Sequence, residues 1–197
     1  MGPYVKAVLG IVMGILCMVF LVYSGMVALV AKESPRKFFR GAREAMLTAF
    51  VTRSSAATLP VSLRCAIEKL RIKKELASFS LPLGATINMD GVCIHLPMWV
   101  ALGAGLFGVE LTGSTLLVMV VMTVLASIGA GGVPGGSLML LYLILDTMGF
   151  TPQQITTIIA LALAVNPILD MFETMNNITG DLACTYVIAK TEGLTEE

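Results

Sequence analysis

Five polar side chains near the end of the chain are spaced so that they would share one face of a helix. They recur at intervals of three and four residues, as Asp170, Glu173, Thr174, Asn177 and Asp181. A helix returns to the same face about every 3.6 residues, so we expect one polar stripe, which Asn166 extends by a turn. Apolar residues surround the stripe, and three acids in such surroundings need cations. The acids could be neutralised by metal ions, an ammonium group, protons or Arg53 from another segment.

The composition predicts that this helix lies in a lipid bilayer. Hydrophobic residues make up 56% of the 197 residues and charged residues only 13%, whereas soluble domains carry about 25% charged residues. Thirteen basic and thirteen acidic side chains give no net charge. This excludes an ordinary soluble enzyme, a disordered chain and a nucleic-acid-binding protein with a basic face.

Ten of the thirteen basic residues form two clusters, at 32–43 and 64–74, and none lies between Lys74 and Lys190. Basic clusters beside apolar segments mark the cytoplasmic side of a membrane. The apolar stretch between the clusters carries Arg53 and several serines and threonines at its middle, which are costly in contact with lipid. A re-entrant hairpin explains both features, because both clusters then remain on one side.

The rest of the chain predicts an all-α integral membrane protein with transmembrane helices, two re-entrant helical hairpins and broken helices. We expect residues 1–197 to form one membrane-embedded unit, multi-pass in the cell membrane, with its C-terminus in the cytoplasm. Its predicted parts are a transmembrane helix at 7–31, a re-entrant hairpin at 45–63, a broken transmembrane helix at 76–107, a second re-entrant hairpin at 114–145 and a last transmembrane helix at 152–190. Polar or Gly- and Pro-rich sequence predicts helix breaks at 53–58, 86–91 and 127–137.

Broken helices supply free backbone groups inside a membrane. Carbonyls at one half-helix end can coordinate Na⁺, and N–H groups at another can hold a carboxylate. Sodium prefers hard oxygen ligands, which Asn88, Asp90, Asn177 and Asp181 would provide. Two opposed hairpins that meet at broken helices are typical of secondary transporters with inverted repeats.

Four segments together resemble the dicarboxylate/amino acid:cation symporter family. They are TRSSAATLP at 52–60, LPLGATINMDG at 81–91, ASIG at 126–129 and NNITGD at 176–181. The resemblance implies the C-terminal, transport-domain half of the glutamate-transporter fold, with the N-terminal scaffold half missing. It also implies sodium-coupled amino-acid symport, Na⁺ as the coupling ion without another cofactor, and a homotrimer for full-length members.

The same resemblance assigns roles to individual residues. Ser54, Ser55, Asn177 and the backbone near Val133 and Gly135 match groups that bind the substrate α-carboxylate, and Asp170 matches the acceptor of its ammonium group. Arg53, Val92, Glu173 and Thr174 complete the implied substrate site. One implied sodium site contains Gly84, Asn88, Asn177 and Asp181. A second uses carbonyls of Thr86, Ser127, Ile128 and Ala130, and a third includes Asn88 and Asp90.

Two departures from the family pattern concern the substrate. Members that carry acidic substrates have an arginine where this chain has Glu173, and they usually have threonine where it has Val92. A Glu beside a substrate carboxylate would repel it. We therefore expect a small neutral amino acid such as serine, threonine or alanine, with Arg53 neutralising Glu173. A dicarboxylate, cystine or a cationic amino acid is the alternative.

Two other functions compete with symport. The chain could be a non-transporting truncated membrane fragment, or one half of a split transporter. An intramembrane aspartyl protease would need a GxGD motif, and Ile178 precedes Thr179, Gly180 and Asp181 instead, so no enzyme is expected. The only histidine, His95, is interpreted as a hydrogen-bonded packing residue, with a proton relay as the alternative.

Overall fold

A computed structural model describes residues 2–196, which are helical apart from loops and one isolated β-bridge between Ile72 and Thr195. The helices are α1 (Gly2–Val30), α2 (Pro35–Thr52), α3 (Ser55–Arg64), α4 (Lys74–Ile87), α5 (Asp90–Phe107), α6 (Gly113–Gly129), α7 (Gly136–Thr147) and α8 (Pro152–Thr191). Three segments are long and apolar enough to cross a membrane: α1, the broken helix formed by α4 and α5, and α8. The predicted all-helical architecture is confirmed.

The first hairpin is longer than its apolar sequence indicates. Its first arm, α2, begins at Pro35, and its second arm continues beyond α3 as a π-helical segment, Cys65–Lys69. The predicted re-entrant stretch at 45–63 lies within these two arms, and its re-entrant character stays a prediction. The outer part of α2 is amphipathic, because Phe38 and Ala42 are fully buried while the charged side chains lie on the other face. A boundary set by hydropathy alone stops at those charges.

The three predicted breaks are present but shorter than expected. The non-helical residues are 53–54, 88–89 and 130–135. At the first break, Ser54 Oγ accepts a hydrogen bond of 3.2 Å from Ala57 N, so a capping serine starts α3 at once. At the last break, Gly135 has a φ of 76°, which glycine adopts without strain before α7 begins.

The last helix, α8, runs through the centre of the molecule. It begins with a capping box formed by Thr151 and Gln154. Its first half packs Ile158 and Leu169 into one apolar cluster with α1, α5 and α7, and its second half packs Leu182 into another with α2 and α3. The polar stripe lies between these two clusters, at the level of the helix breaks.

Both basic clusters lie at one end of the molecule. Arg64 pairs with Glu44 at 3.1 Å, and Lys190 near the end of α8 pairs with Glu33 at 2.7 Å. The backbone N–H of Lys73 donates to the carbonyl oxygen of Leu194 at 2.9 Å. The hydrogen bond from Lys190 lowers the pKa of the Glu33 carboxyl below its ordinary value. The Lys190–Glu33 pair therefore stabilises the fold at pH values above the ordinary pKa of a carboxyl. This stabilisation is lost as the pH falls through the lowered pKa of Glu33.

This arrangement supports a prediction about membrane topology. In a chain without its native cysteines, cysteines at the exposed positions Lys37 and Lys74 should both react with an impermeant thiol reagent only from the cytoplasmic side. Ser114 lies in the exposed first turn of α6, beyond α5, and a cysteine there should react only from the opposite side. Labelling of positions 37 and 74 from opposite sides would turn the first hairpin into a membrane span.

Candidate functional site

The tips of the two hairpins contact each other beside the end of α4. Ser54 Oγ donates to the carbonyl oxygen of Gly132 at 2.7 Å, and the backbone N–H of Ala56 donates to the same oxygen at 3.3 Å. A side chain at Gly132 would not fit, because its Cβ would lie 2.8 Å from the carbonyl oxygen of Ala85. The first and third helix breaks thus meet, as expected if both tips enclose one site.

Asp170 on α8 faces this junction. Its Oδ2 accepts a hydrogen bond of 3.1 Å from the backbone N–H of Gly135, and its side chain is buried. The positive charge of Arg53 at the first hairpin tip attracts the Asp170 carboxylate. Asp170 therefore contacts the second hairpin and interacts with the charge of the first, which suits a group that meets a substrate ammonium.

Glu173, one turn further along α8, has a partner that the sequence interpretation missed. His95 on α5 contacts it through Nδ1 and Oε2 at 2.5 Å, and Ser137 Oγ on α7 donates to the same carboxylate oxygen at 3.4 Å. The exposed fractions of the His95 and Glu173 side chains are 0% and 6%. Among the ion pairs within residues 2–196, Glu173 pairs with His95, and the expected neutralisation by Arg53 stays a prediction. Arg53 acts on Asp170.

The spacing of residues along α5 indicates that His95 can reach Glu173. Gly91, His95 and Trp99 are four residues apart, so they share one face of α5. A Cβ at Gly91 would lie 2.9 Å from both Glu173 Cγ and Asn177 Oδ1, which shows how closely that face approaches α8. Once Gly91 faces the stripe, His95 must face it one turn later.

The residues of the first predicted sodium site lie together. Asn88, in the break between α4 and α5, donates through Nδ2 to Asp181 Oδ1 at 2.9 Å and to the carbonyl oxygen of Asn177 at 3.2 Å. Gly84 approaches Asp181 so closely that a Cβ there would overlap the carboxylate. A cavity of about 490 Å³ between α4 and α8 reaches Gly84, Asn88 and Asp181. The oxygens that converge on Asn88 belong to the Asp181 carboxylate and the Asn177 carbonyl, and a hard cation prefers such oxygens.

Asp90 lies beside this group, with a second partner that the sequence interpretation did not name. Its Oδ1 accepts from Asn176 Nδ2 at 2.9 Å and from the N–H of Gly91 at 3.1 Å, and that N–H also donates to Asn177 Oδ1 at 2.7 Å. Asn176 Oδ1 is buried without a hydrogen-bond partner among the described residues. Asn176 is therefore an additional candidate ligand, adjacent in sequence to the predicted Asn177.

Other predicted site residues have varied positions. Ser55 is buried beside Gly132 at the junction of the tips, and Thr174 is buried on α8. Val133 is 59% exposed at the second tip, and Val92 packs in the apolar cluster with Leu96. The second predicted sodium site draws on the last turn of α4 and the end of α6, helices that contact each other. Its carbonyls come from Thr86 and Ile128, which have exposed side chains, and from Ser127 and Ala130, which are buried. The ligand roles of these carbonyls stay predictions.

Comparison with known proteins matches this architecture to one family. The model of the sodium:dicarboxylate symporter family matches residues 1–191. Excitatory amino acid transporter 3 of Mus musculus is 38% identical over 162 residues, which is 82% of this chain and 30% of the relative. Excitatory amino acid transporter 2 of Homo sapiens is 37% identical over 166 residues, or 83% of this chain and 28% of the relative. A putative sodium-dependent excitatory amino acid transporter, glt-4 of Caenorhabditis elegans, is 33% identical over 183 residues, or 93% of this chain and 36% of the relative. The chain thus spans about a third of the length of these relatives.

Proposed function

The chain belongs to the sodium:dicarboxylate symporter family, and from this premise we propose that it carries the substrate and sodium sites of a symporter for small neutral amino acids. Serine, threonine and alanine are the proposed substrates, and Na⁺ is the proposed coupling ion. The family is one of transporters and not of enzymes. We further propose that the two hairpins are re-entrant and that the C-terminus lies in the cytoplasm.

The charge balance around the hairpin tips carries the proposal. Two acids, Asp170 and Glu173, face two basic side chains, since the charge of Arg53 attracts Asp170 and His95 contacts Glu173. A neutral amino acid brings one ammonium and one carboxylate, so it preserves this balance. A dicarboxylate would bring an additional negative charge beside Asp170 and Glu173, and an uncompensated charge in a buried site is costly.

Roles for the proposed ligands follow from their positions. The substrate ammonium would replace the Gly135 N–H as the partner of Asp170, and the α-carboxylate would take hydrogen bonds from Ser54, Ser55 and Asn177. The hydrogen bond from Ser54 to Gly132 would then break, which separates the two tips. Sodium ions would lie against Asp181 and Asp90, where they balance the remaining two acids of the region.

The test measures thermal stability of the purified chain in lipid nanodiscs. With saturating Na⁺, serine, threonine or alanine should raise the melting temperature by about 5–10 °C at a hundredfold excess over the dissociation constant. Replacing Na⁺ with K⁺ should remove the shift. A larger shift with aspartate than with serine would refute the neutral substrate, and no shift with any amino acid would refute substrate binding by this chain.

A further inference from the structure

A cavity with a basic lining lies at the end of the molecule where the two basic clusters meet. It has a volume of about 250 Å³, and the residues that line it come from both arms of the first hairpin: Arg40, Gly41, Arg43, Glu44 and Lys69. The two arms approach closely here, because a Cβ at Gly41 would lie 2.5 Å from Leu70 Cδ2 and 3.5 Å from Lys69 Cβ. None of the lining residues belongs to the proposed substrate or sodium sites.

The lining carries an excess of positive charge. Its one acid is already paired, since Glu44 Oε2 accepts a hydrogen bond of 3.1 Å from Arg64. Glu68 is exposed and does not line the cavity. The other charged lining residues are exposed cations that have no ion pair and no side-chain hydrogen bond within residues 2–196: Arg40, Arg43 and Lys69. Three cations thus surround a space that fits an anionic group.

The exposed face of α2 changes from basic to apolar along its length. Spacings of three and four residues place five side chains on this face: Arg36, Arg40, Arg43, Leu47 and Val51. Leu47 is 64% exposed and Val51 is 72% exposed. Val51 lies about 12 Å along the helix axis from Arg43, at 1.5 Å per residue. A phospholipid has the same order of groups, with a charged phosphate at the membrane surface and acyl chains below it.

We propose that the cavity binds the phosphate of an anionic phospholipid from the cytoplasmic leaflet, with its acyl chains along Leu47 and Val51. The two arginines would donate N–H groups to the phosphate oxygens, and Lys69 would add a third charge from the other arm. Anionic lipids are abundant in the cytoplasmic leaflet, which basic clusters face. The bound lipid would hold the two hairpin arms together. This inference depends on the proposed topology and not on the proposed substrate.

Native mass spectrometry of the whole chain in detergent measures this binding directly. The chain is titrated with phosphatidylglycerol and with phosphatidylcholine of the same acyl chains. It should retain one phosphatidylglycerol molecule with at least about tenfold higher affinity, because the choline group cancels the negative charge that the three cations attract. Equal affinity for the two lipids would overturn the proposal.

A water-soluble headgroup separates a lipid site from a site for free phosphate. Glycerol 3-phosphate has the phosphate but lacks the acyl chains, so it should compete with phosphatidylglycerol at least about a hundredfold more weakly than the lipid itself. Competition as strong as that of the lipid would show a phosphate site to which Leu47 and Val51 contribute nothing. That result would overturn the lipid as the occupant.

Two matched double variants test the position of the site. Arg43→Gln/Lys69→Gln should lower the affinity for phosphatidylglycerol by about thirtyfold and leave that for phosphatidylcholine nearly unchanged. Arg36→Gln/Lys74→Gln removes the same two residue types from exposed positions outside the cavity and should have a far smaller effect. Equal losses in the two variants would mean that the overall charge attracts the lipid, which would overturn the cavity as its site.

The mass spectra also show whether a second copy of the chain covers this face instead. A dimer that excludes phosphatidylglycerol, and that is absent in Arg43→Gln/Lys69→Gln, would replace the lipid with a protein interface and overturn the proposal. The comparison of the two lipids on the unaltered chain decides the question even if a variant does not fold. Since no amino acid takes part in these measurements, their outcome is independent of the proposed substrate.

Discussion

Sodium should no longer stabilise the chain when Asp181 is replaced by asparagine. The side chain is 5% exposed, and its Oδ1 accepts a hydrogen bond from Asn88 at 2.9 Å. Asparagine has nearly the same volume and retains an oxygen that accepts this bond, but it removes the full charge that attracts the cation. We expect the sodium concentration at half-maximal stabilisation to rise at least about a hundredfold, which corresponds to about 2.7 kcal/mol.

Thermal melts across a sodium series, with K⁺ keeping ionic strength constant, provide the measurement. In K⁺ alone the Asp181→Asn variant should melt at the same temperature as the parent or higher, because no buried carboxylate is left without a cation. Glu110→Gln, in the exposed loop after α5, is the matched control and should respond to sodium as the parent does. Equal sodium dependence in the variant and the parent would mean that Asp181 is not a sodium ligand.

Sequence pattern was sufficient for the large features of the fold, and the reasons are physical. The spacing from Asp170 to Asp181 places a stripe on one helix face whatever the tertiary structure, and the run of glycines around Pro134 cannot continue a helix. The lack of basic residues between Lys74 and Lys190 likewise indicates which segments face lipid or the protein interior. These signals are local or compositional, so they survive without knowledge of contacts.

Boundaries and partners were predicted less well because they depend on groups distant in the sequence. Hydropathy did not indicate that the first hairpin begins at Pro35. The buried Phe38 and Ala42 lie among charged residues, which lower the mean hydropathy of the segment. The contact between Glu173 and His95 was not predicted, because charge alone favoured Arg53 over a histidine. Only the close packing of Gly91 on α8, a property of the folded chain, shows that His95 is within reach.

The contact of Glu173 with His95 determines how a variant with a changed substrate preference should be designed. Glu173→Arg would place a guanidinium where an additional substrate carboxylate needs one, since arginine binds carboxylates with two parallel hydrogen bonds. His95 contacts Glu173 through Nδ1, so His95→Gln accompanies the change and gives the new guanidinium a neighbour that carries no charge. Arg53 is kept, because its charge acts on Asp170.

The double variant His95→Gln/Glu173→Arg should raise the affinity for aspartate relative to serine by about a hundredfold, because charge-assisted hydrogen bonds contribute about 1.5–3 kcal/mol each. The measurement is competition between aspartate and serine in Na⁺, in the chain reconstituted in lipid. Glu173→Gln is the matched control: it removes the acid without adding a cation, so it should raise the ratio far less. If the double variant shows no gain for aspartate over this control, Glu173 does not face the substrate side chain, and the proposed preference for neutral amino acids loses its physical basis.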